Sequence, residues 1–76
     1  GMAKILETTG MVCPFPLEEA KKAIKEINVG EELIIQFDCT QATESIPEWA
    51  ASEGHPVTEF EQLSEAQWKI VVQRGK

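Results

Sequence analysis

Leu17-Glu18-Glu19-Ala20-Lys21-Lys22-Ala23-Ile24-Lys25-Glu26-Ile27-Asn28-Val29-Gly30-Glu31-Glu32-Leu33-Ile34-Ile35-Gln36-Phe37 changes its hydrophobic period once, and that change decides the fold. Up to Ile27 the apolar residues Leu17, Ala20, Ala23, Ile24 and Ile27 recur at spacings of three and four, with Glu18, Glu19, Lys21, Lys22, Lys25 and Glu26 on the opposite face. That is the period of an amphipathic helix. Pro14 and Pro16, whose fixed φ suits a first turn, stand at its start, and Glu18 lies four residues before Lys22. Asn28-Val29-Gly30 offers a left-handed C-terminal cap. Beyond Gly30 the period drops to two: Leu33, Ile35 and Phe37 alternate with Ile34 and Gln36, the pattern of a strand with its better face on a core. Asp38 and Cys39 end it.

Upstream, Ala3-Lys4-Ile5-Leu6-Glu7-Thr8 reads as a short strand closed by Thr9-Gly10. Downstream, Gln41 to Glu53 carries Ile46, Trp49 and Ala50 at helical spacing. Ser45-Ile46-Pro47-Glu48 has the form of a capping box that places Pro47 in a first turn. A start at Thr40 or Thr43 also accommodates Pro47, since the first N–H groups of a helix have no intrahelical partner. Gly54 ends this helix. Pro56 to Glu61 and Trp68 to Gln73 read as two more strands, joined by the polar stretch Gln62 to Gln67. The order βαβαββ predicts an α+β two-layer sandwich, a four-stranded mixed sheet with two helices packed on one face. Its first two strands are expected to be parallel and its last two to form an antiparallel hairpin.

A length of 76 residues fits a single domain over residues 2–76, with Gly1 ahead of Met2 reading as a tag remnant. Hydrophobic residues make up 42% of the chain, enough for one two-layer core, although a domain this small buries only ~60% of its unfolded surface. Thirteen acidic residues against seven basic ones leave a net charge of −6 and no Lys/Arg run to track phosphates, so direct nucleic-acid binding is not expected. Apolar runs such as Leu33-Ile34-Ile35 fall far short of the ~20 residues of a transmembrane segment or the ~7 to 15 of a signal peptide. The chain therefore reads as soluble and cytoplasmic. Its two cysteines, without a secretory signal, read first as free thiols.

Gly10-Met11-Val12-Cys13-Pro14-Phe15-Pro16 places a cysteine in the turn between a strand and a helix. A helix N-terminus favours an anion, so a Cys13 thiolate is expected there with a lowered pKa and raised nucleophilicity. Pro14 removes one donor from that turn, and with Pro16 it fixes where the sulfur points. The competing reading is a small buried apolar residue, the common fate of unpaired cysteines. The one histidine, His55, lies just before a later strand, which gives a Cys/His hydrolase no support. If the first two strands are parallel, Cys39 shares the sheet edge of Cys13. It then serves as a resolving thiol, a second sulfur acceptor or half of a reversible disulfide, the alternative being a half-buried loop cysteine. A disulfide requires Cα atoms within ~7 Å. Cys13, Cys39, Asp38 and His55 form no short ligand pairs, so no metal or other cofactor is expected. Lys21 and Lys22, about two turns from Cys13, are candidates to hold an anionic sulfur species or an acidic partner, with Glu19 also near. Trp49 and Trp68 read as core or interface aromatics.

Cys13-Pro14-Phe15-Pro16-Leu17, set beside Gly30-Glu31-Glu32-Leu33, Ala42-Thr43, Ile46-Pro47-Glu48-Trp49-Ala50 and Gly54-His55, resembles the TusA/SirA family of sulfur carriers almost end to end. The resemblance implies a βαβαββ sandwich in which Cys13 carries sulfur as a persulfide. Met11 to Leu17 and Phe37 to Thr43 are most similar to the YeeD branch, companions of a YeeE-type membrane permease in thiosulfate uptake. Members active in tRNA thiolation commonly carry Asp-x-Arg-Gly before the motif and Asp-Asp-Pro after the second strand. Here Glu7-Thr8-Thr9-Gly10 and Asp38-Cys39-Thr40 stand in those places. The resemblance thus implies Cys13 as the reacting residue, Pro14, Pro16, Glu19 and Lys21 as supporting residues, and Cys39 as a second thiol. It implies thiosulfate or a persulfide as donor and a permease or other sulfur-relay protein as partner, with a location at the inner membrane face through the permease. The expected chemistry is of sulfurtransferase type. Alternatives are a general relay from a cysteine desulfurase to tRNA thiolation or cofactor biosynthesis, and a thiol/disulfide regulatory adaptor.

Overall fold

Six elements follow one another in a computed structural model that describes residues 2–76: β1 (Ala3–Glu7), α1 (Phe15–Ile24), β2 (Glu32–Phe37), α2 (Ala42–Ser52), β3 (Val57–Ser64) and β4 (Gln67–Gln73). Gly1, read above as a tag remnant, lies outside the described residues. The sheet order is β1-β2-β4-β3. β1 and β2 are parallel, from Ala3 opposite Glu32 to Glu7 opposite Gln36. β4 runs antiparallel to both β2 and β3, placing Phe37 opposite Trp68.

Alternation along β2 and β4 sends Leu33, Ile35, Phe37, Ile70 and Val72 to the helical side, all fully buried. Ala20, Ala23 and Ile24 of α1 and Ala42, Ile46 and Ala50 of α2 meet them. Burying each of the larger side chains contributes about 1.5–3 kcal/mol. The opposite sheet face is uncovered. There the register aligns Ile5, Ile34 and Val71 in one cross-strand row, with Ile5 exposed. Nearby, Lys69 bonds Glu59 (2.7 Å) and Glu61 (3.3 Å) of the edge strand β3. Hydrogen bonds to these two carboxylates raise the Lys69 pKa above the ordinary lysine value. The pairing is therefore complete at neutral pH and is lost as pH rises through that raised value. Charges and two register shifts along β3 guard this edge against further strand pairing.

Three boundaries differ from the sequence expectation. α1 ends at Ile24, because the next turn tightens: Lys25 and Glu26 donate to the carbonyls three residues back, which carries Ile27 into the core. Gly30, with φ of 91°, serves the entry to β2 and donates to the Arg74 carbonyl rather than capping α1. α2 starts at Ala42, so the capping box does not form; Ser45 already donates its N–H to the Gln41 carbonyl, and Pro47 lies inside the helix. Burial of Ala42, Ile46 and Ala50 at four-residue spacing explains the earlier start: the stripe that packs on the sheet begins one turn before Ser45. Finally, Gln62 to Gln67 is not a linker; pairing continues through Gln62 opposite Trp68 and Ser64 opposite Gln67, leaving a tip at Glu65-Ala66.

Candidate functional site

Parallel pairing carries the ends of β1 and β2 to the same sheet edge, and the loop after β1 is tied down there. Thr8 is fully buried, and its N–H and hydroxyl both donate to the Gln36 carbonyl at 2.8 Å. Gly10 donates its N–H to Asp38 Oδ1 at 3.0 Å, and Met11 donates to the Thr8 carbonyl. Gly10 holds φ at 92°, a region L residues rarely adopt. A Cβ there would meet nothing within 4 Å, so its replacement tests backbone conformation without steric collision. Gly10→Ala is expected to cost about 1–2 kcal/mol, read as a lower urea midpoint at unchanged slope.

Cys13 follows on this anchored loop, and its peptide bond to Pro14 is cis. Pro14 occupies the N-cap of α1, while Pro16 is buried in the first turn. The first turn offers few free donors: Phe15 N–H is taken by the Val12 carbonyl, and Pro16 has none. The helix end is thus a poorer anion site than the sequence suggested, and the prolines act on placement. Cys39 is held from the other strand, its carbonyl accepting the Ala42 N–H at the start of α2.

The two cysteines, read from sequence as free thiols, are joined in a disulfide with Cα atoms 5.9 Å apart. That distance lies inside the range a disulfide needs. Cys13 is half-buried, whereas Cys39 is 8% exposed and belongs to the core cluster. Gly10, Met11, Val12, Asp38, Thr40 and Gln41 line an open groove over the sulfurs, and Pro16, Leu17, Ala42 and Ser45 line its inner side. Met11 and Val12 are exposed apolar residues at this mouth.

Other predicted residues lie apart from it. Lys21 pairs with Glu18 (3.6 Å) and Lys22 with Glu19 (3.5 Å) along the surface of α1, and neither Glu19 nor Lys21 lines the groove. His55 is buried near the opposite sheet edge, where its Nδ1 accepts the Gly75 N–H at 3.0 Å and its ring tilts against Trp49. Trp68 stacks on Phe37, with ring centroids 5.9 Å apart. Sequence reasoning had assigned Thr8, Thr40 and Gln41 no place in a site. Their positions depend on strand register and loop path, which carry no periodic pattern; the one available signal was their proximity in sequence to Gly10 and Cys39.

A half-buried cysteine joined to a buried one beneath an open groove at the carboxyl edge of a mixed sheet, with His55 at the far edge, defines a small thiol-bearing α+β domain. The chain belongs to the TusA family: the profile described as sulfurtransferase TusA matches residues 4–74. It is 56% identical over 72 residues to TsuB of Escherichia coli (strain K12), named as a candidate sulfur carrier protein, covering 95% of this chain and 96% of that one. It is 37% identical over 71 residues to a candidate sulfur carrier of Thermotoga maritima, covering 93% and 90%. The crystal structure of a SirA-like protein from Desulfitobacterium hafniense superposes with a TM-score of 0.83 at 21% identity, over 99% of this chain and 100% of that one, and so shares the fold.

Proposed function

We propose that this chain carries sulfane sulfur as a persulfide on Cys13, taking it from thiosulfate in concert with a membrane permease. The observation that carries this reading is the placement of Cys13: a half-buried sulfur on an anchored loop at an open groove. The names of the relatives, sulfur carriers, support the same chemistry. Reduction of the disulfide frees the thiolate. It attacks the outer sulfur of thiosulfate, forming a new S–S bond at Cys13 as the thiosulfate S–S bond breaks and its electron pair leaves with sulfite.

Two features favour the thiosulfate branch over a general relay. Asp38-Cys39-Thr40, the segment that departs from the tRNA-thiolation pattern, lines the groove itself. Met11 and Val12 give the mouth an apolar border suited to docking on a partner. No helix among the described residues is long and apolar enough to cross a membrane.

Intact-protein mass spectrometry tests the donor. Reduced protein sampled early in an incubation with thiosulfate is expected to gain one sulfur and to release sulfite. Loading only from a persulfide-bearing cysteine desulfurase would overturn the thiosulfate assignment in favour of a general relay, and loss of two hydrogens with no sulfite or sulfide released would favour a disulfide adaptor.

A further inference from the structure

We infer that Cys39 resolves the Cys13 persulfide, so that a loaded chain without an acceptor releases its sulfur as sulfide. The inference rests on the persulfide reading above and adds an activity to it. A persulfide on Cys13 has two electrophilic sulfurs. An external acceptor takes the outer one; the inner one is Cys13 Sγ, the atom to which Cys39 Sγ is joined in this structure. The Cα atoms already stand 5.9 Å apart, so the disulfide forms within the backbone arrangement seen here.

Cys39 is also shielded in a way that suits this role. It is 8% exposed and packed in the core cluster, and its carbonyl is tied to the Ala42 N–H. Bulk thiols reach the open groove before they reach Cys39, whereas Cys13 is its immediate neighbour. Intramolecular placement of this kind replaces a bimolecular encounter with a high effective concentration. The sulfide leaves through the groove bordered by Gly10, Met11, Val12 and Thr40.

The step balances without an added oxidant. Cys39 thiolate attacks Cys13 Sγ, the Cys13–Cys39 bond forms, and the bond to the outer sulfur breaks. Its electron pair leaves with that sulfur as hydrosulfide, which carries away the persulfide proton. The sulfane sulfur is reduced and the two cysteines are oxidised. A dithiol reductant, supplying two electrons and two protons, returns both thiols for another cycle. Fate is then set by the partner: a docked acceptor takes the outer sulfur, and in its absence Cys39 releases it.

The test loads reduced protein with inorganic polysulfide, removes excess reagent, and follows intact mass and free sulfide without reductant. Wild type is expected to lose the added sulfur, release one equivalent of sulfide and end two hydrogens lighter than the reduced chain. Cys39→Ser and Cys39→Ala, checked for native circular dichroism, are expected to keep the added sulfur at least about tenfold longer. Equal retention by wild type and both folded variants overturns the inference while leaving the carrier reading intact. Failure of every form to gain sulfur overturns the carrier reading and this inference with it, and is recognised because the mass never rises.

Discussion

Cys13→Ser is expected to take up no sulfur from thiosulfate, polysulfide or a persulfide-bearing protein, a loss of about 100-fold or more in loading rate. The thiolate is the nucleophile in every such transfer, and a serine hydroxyl at neutral pH has neither its ionisation nor its affinity for sulfur. The substitution also removes the disulfide to Cys39, which closes a loop with a sequence separation of 26 residues. A cross-link of that span contributes about 3 kcal/mol to the oxidised protein. Stability is therefore compared under reducing conditions, where both proteins lack the bond and are expected to agree within about 0.5 kcal/mol. Intact mass after donor treatment, with a urea titration in reductant beside it, separates lost chemistry from lost fold.

Phe37→Ala is expected to destabilise the domain by about 3–5 kcal/mol. Phe37 is fully buried, ends β2, pairs with Trp68 across the sheet and stacks on its ring. At roughly 0.05–0.15 kcal/mol per residue a chain of this size has only about 4–11 kcal/mol in total, so the variant loses a large share of its stability. A urea titration followed by tryptophan fluorescence is expected to show the midpoint falling by about a quarter or more. Phe37 also precedes Asp38, which holds the Gly10 N–H, and Cys39, so the variant is expected to re-form the Cys13–Cys39 disulfide more slowly after reduction.

The topology was legible because the chain changes period cleanly. The three-and-four spacing up to Ile27 and the alternation of Leu33, Ile35 and Phe37 correspond to α1 and β2, and together they require the parallel pairing with β1. Boundaries were less legible wherever tertiary burial outweighed a local signal. Ser45-x-x-Glu48 has the form of a cap, yet burial of Ala42 extends α2 backward by almost a turn. The Gln62 to Gln67 stretch is polar because β3 lies at the sheet edge and is exposed throughout, so composition could not distinguish an edge strand from a linker.

Within the site, Cys13 stood out because two prolines follow a cysteine in a strand-to-helix turn. Its union with Cys39 was one of several sequence alternatives, since it depends on a register that aligns Glu7 with Gln36 and on the fold of both following loops. Glu19 and Lys21 form ion pairs along the surface of α1, while Thr8, Gly10 and Asp38 anchor the loop through hydrogen bonds made across the β1–β2 edge. Such contacts leave no helical or strand period to read.

The central claim, that sulfur rides on Cys13, is tested most directly by locating the added atom. Reduced protein is treated with thiosulfate, trapped with an alkylating reagent and digested with trypsin, and the peptides are sequenced by tandem mass spectrometry. Cys13 lies between the cleavage sites at Lys4 and Lys21, and Cys39 between those at Lys25 and Lys69, so the two thiols fall on separate peptides. The expected result is one extra sulfur on Cys13 and none on Cys39, or, once Cys39 has released that sulfur, a Cys13–Cys39 disulfide with sulfite and sulfide in solution; an extra sulfur on Cys39 alone, or two unmodified thiols, would contradict it.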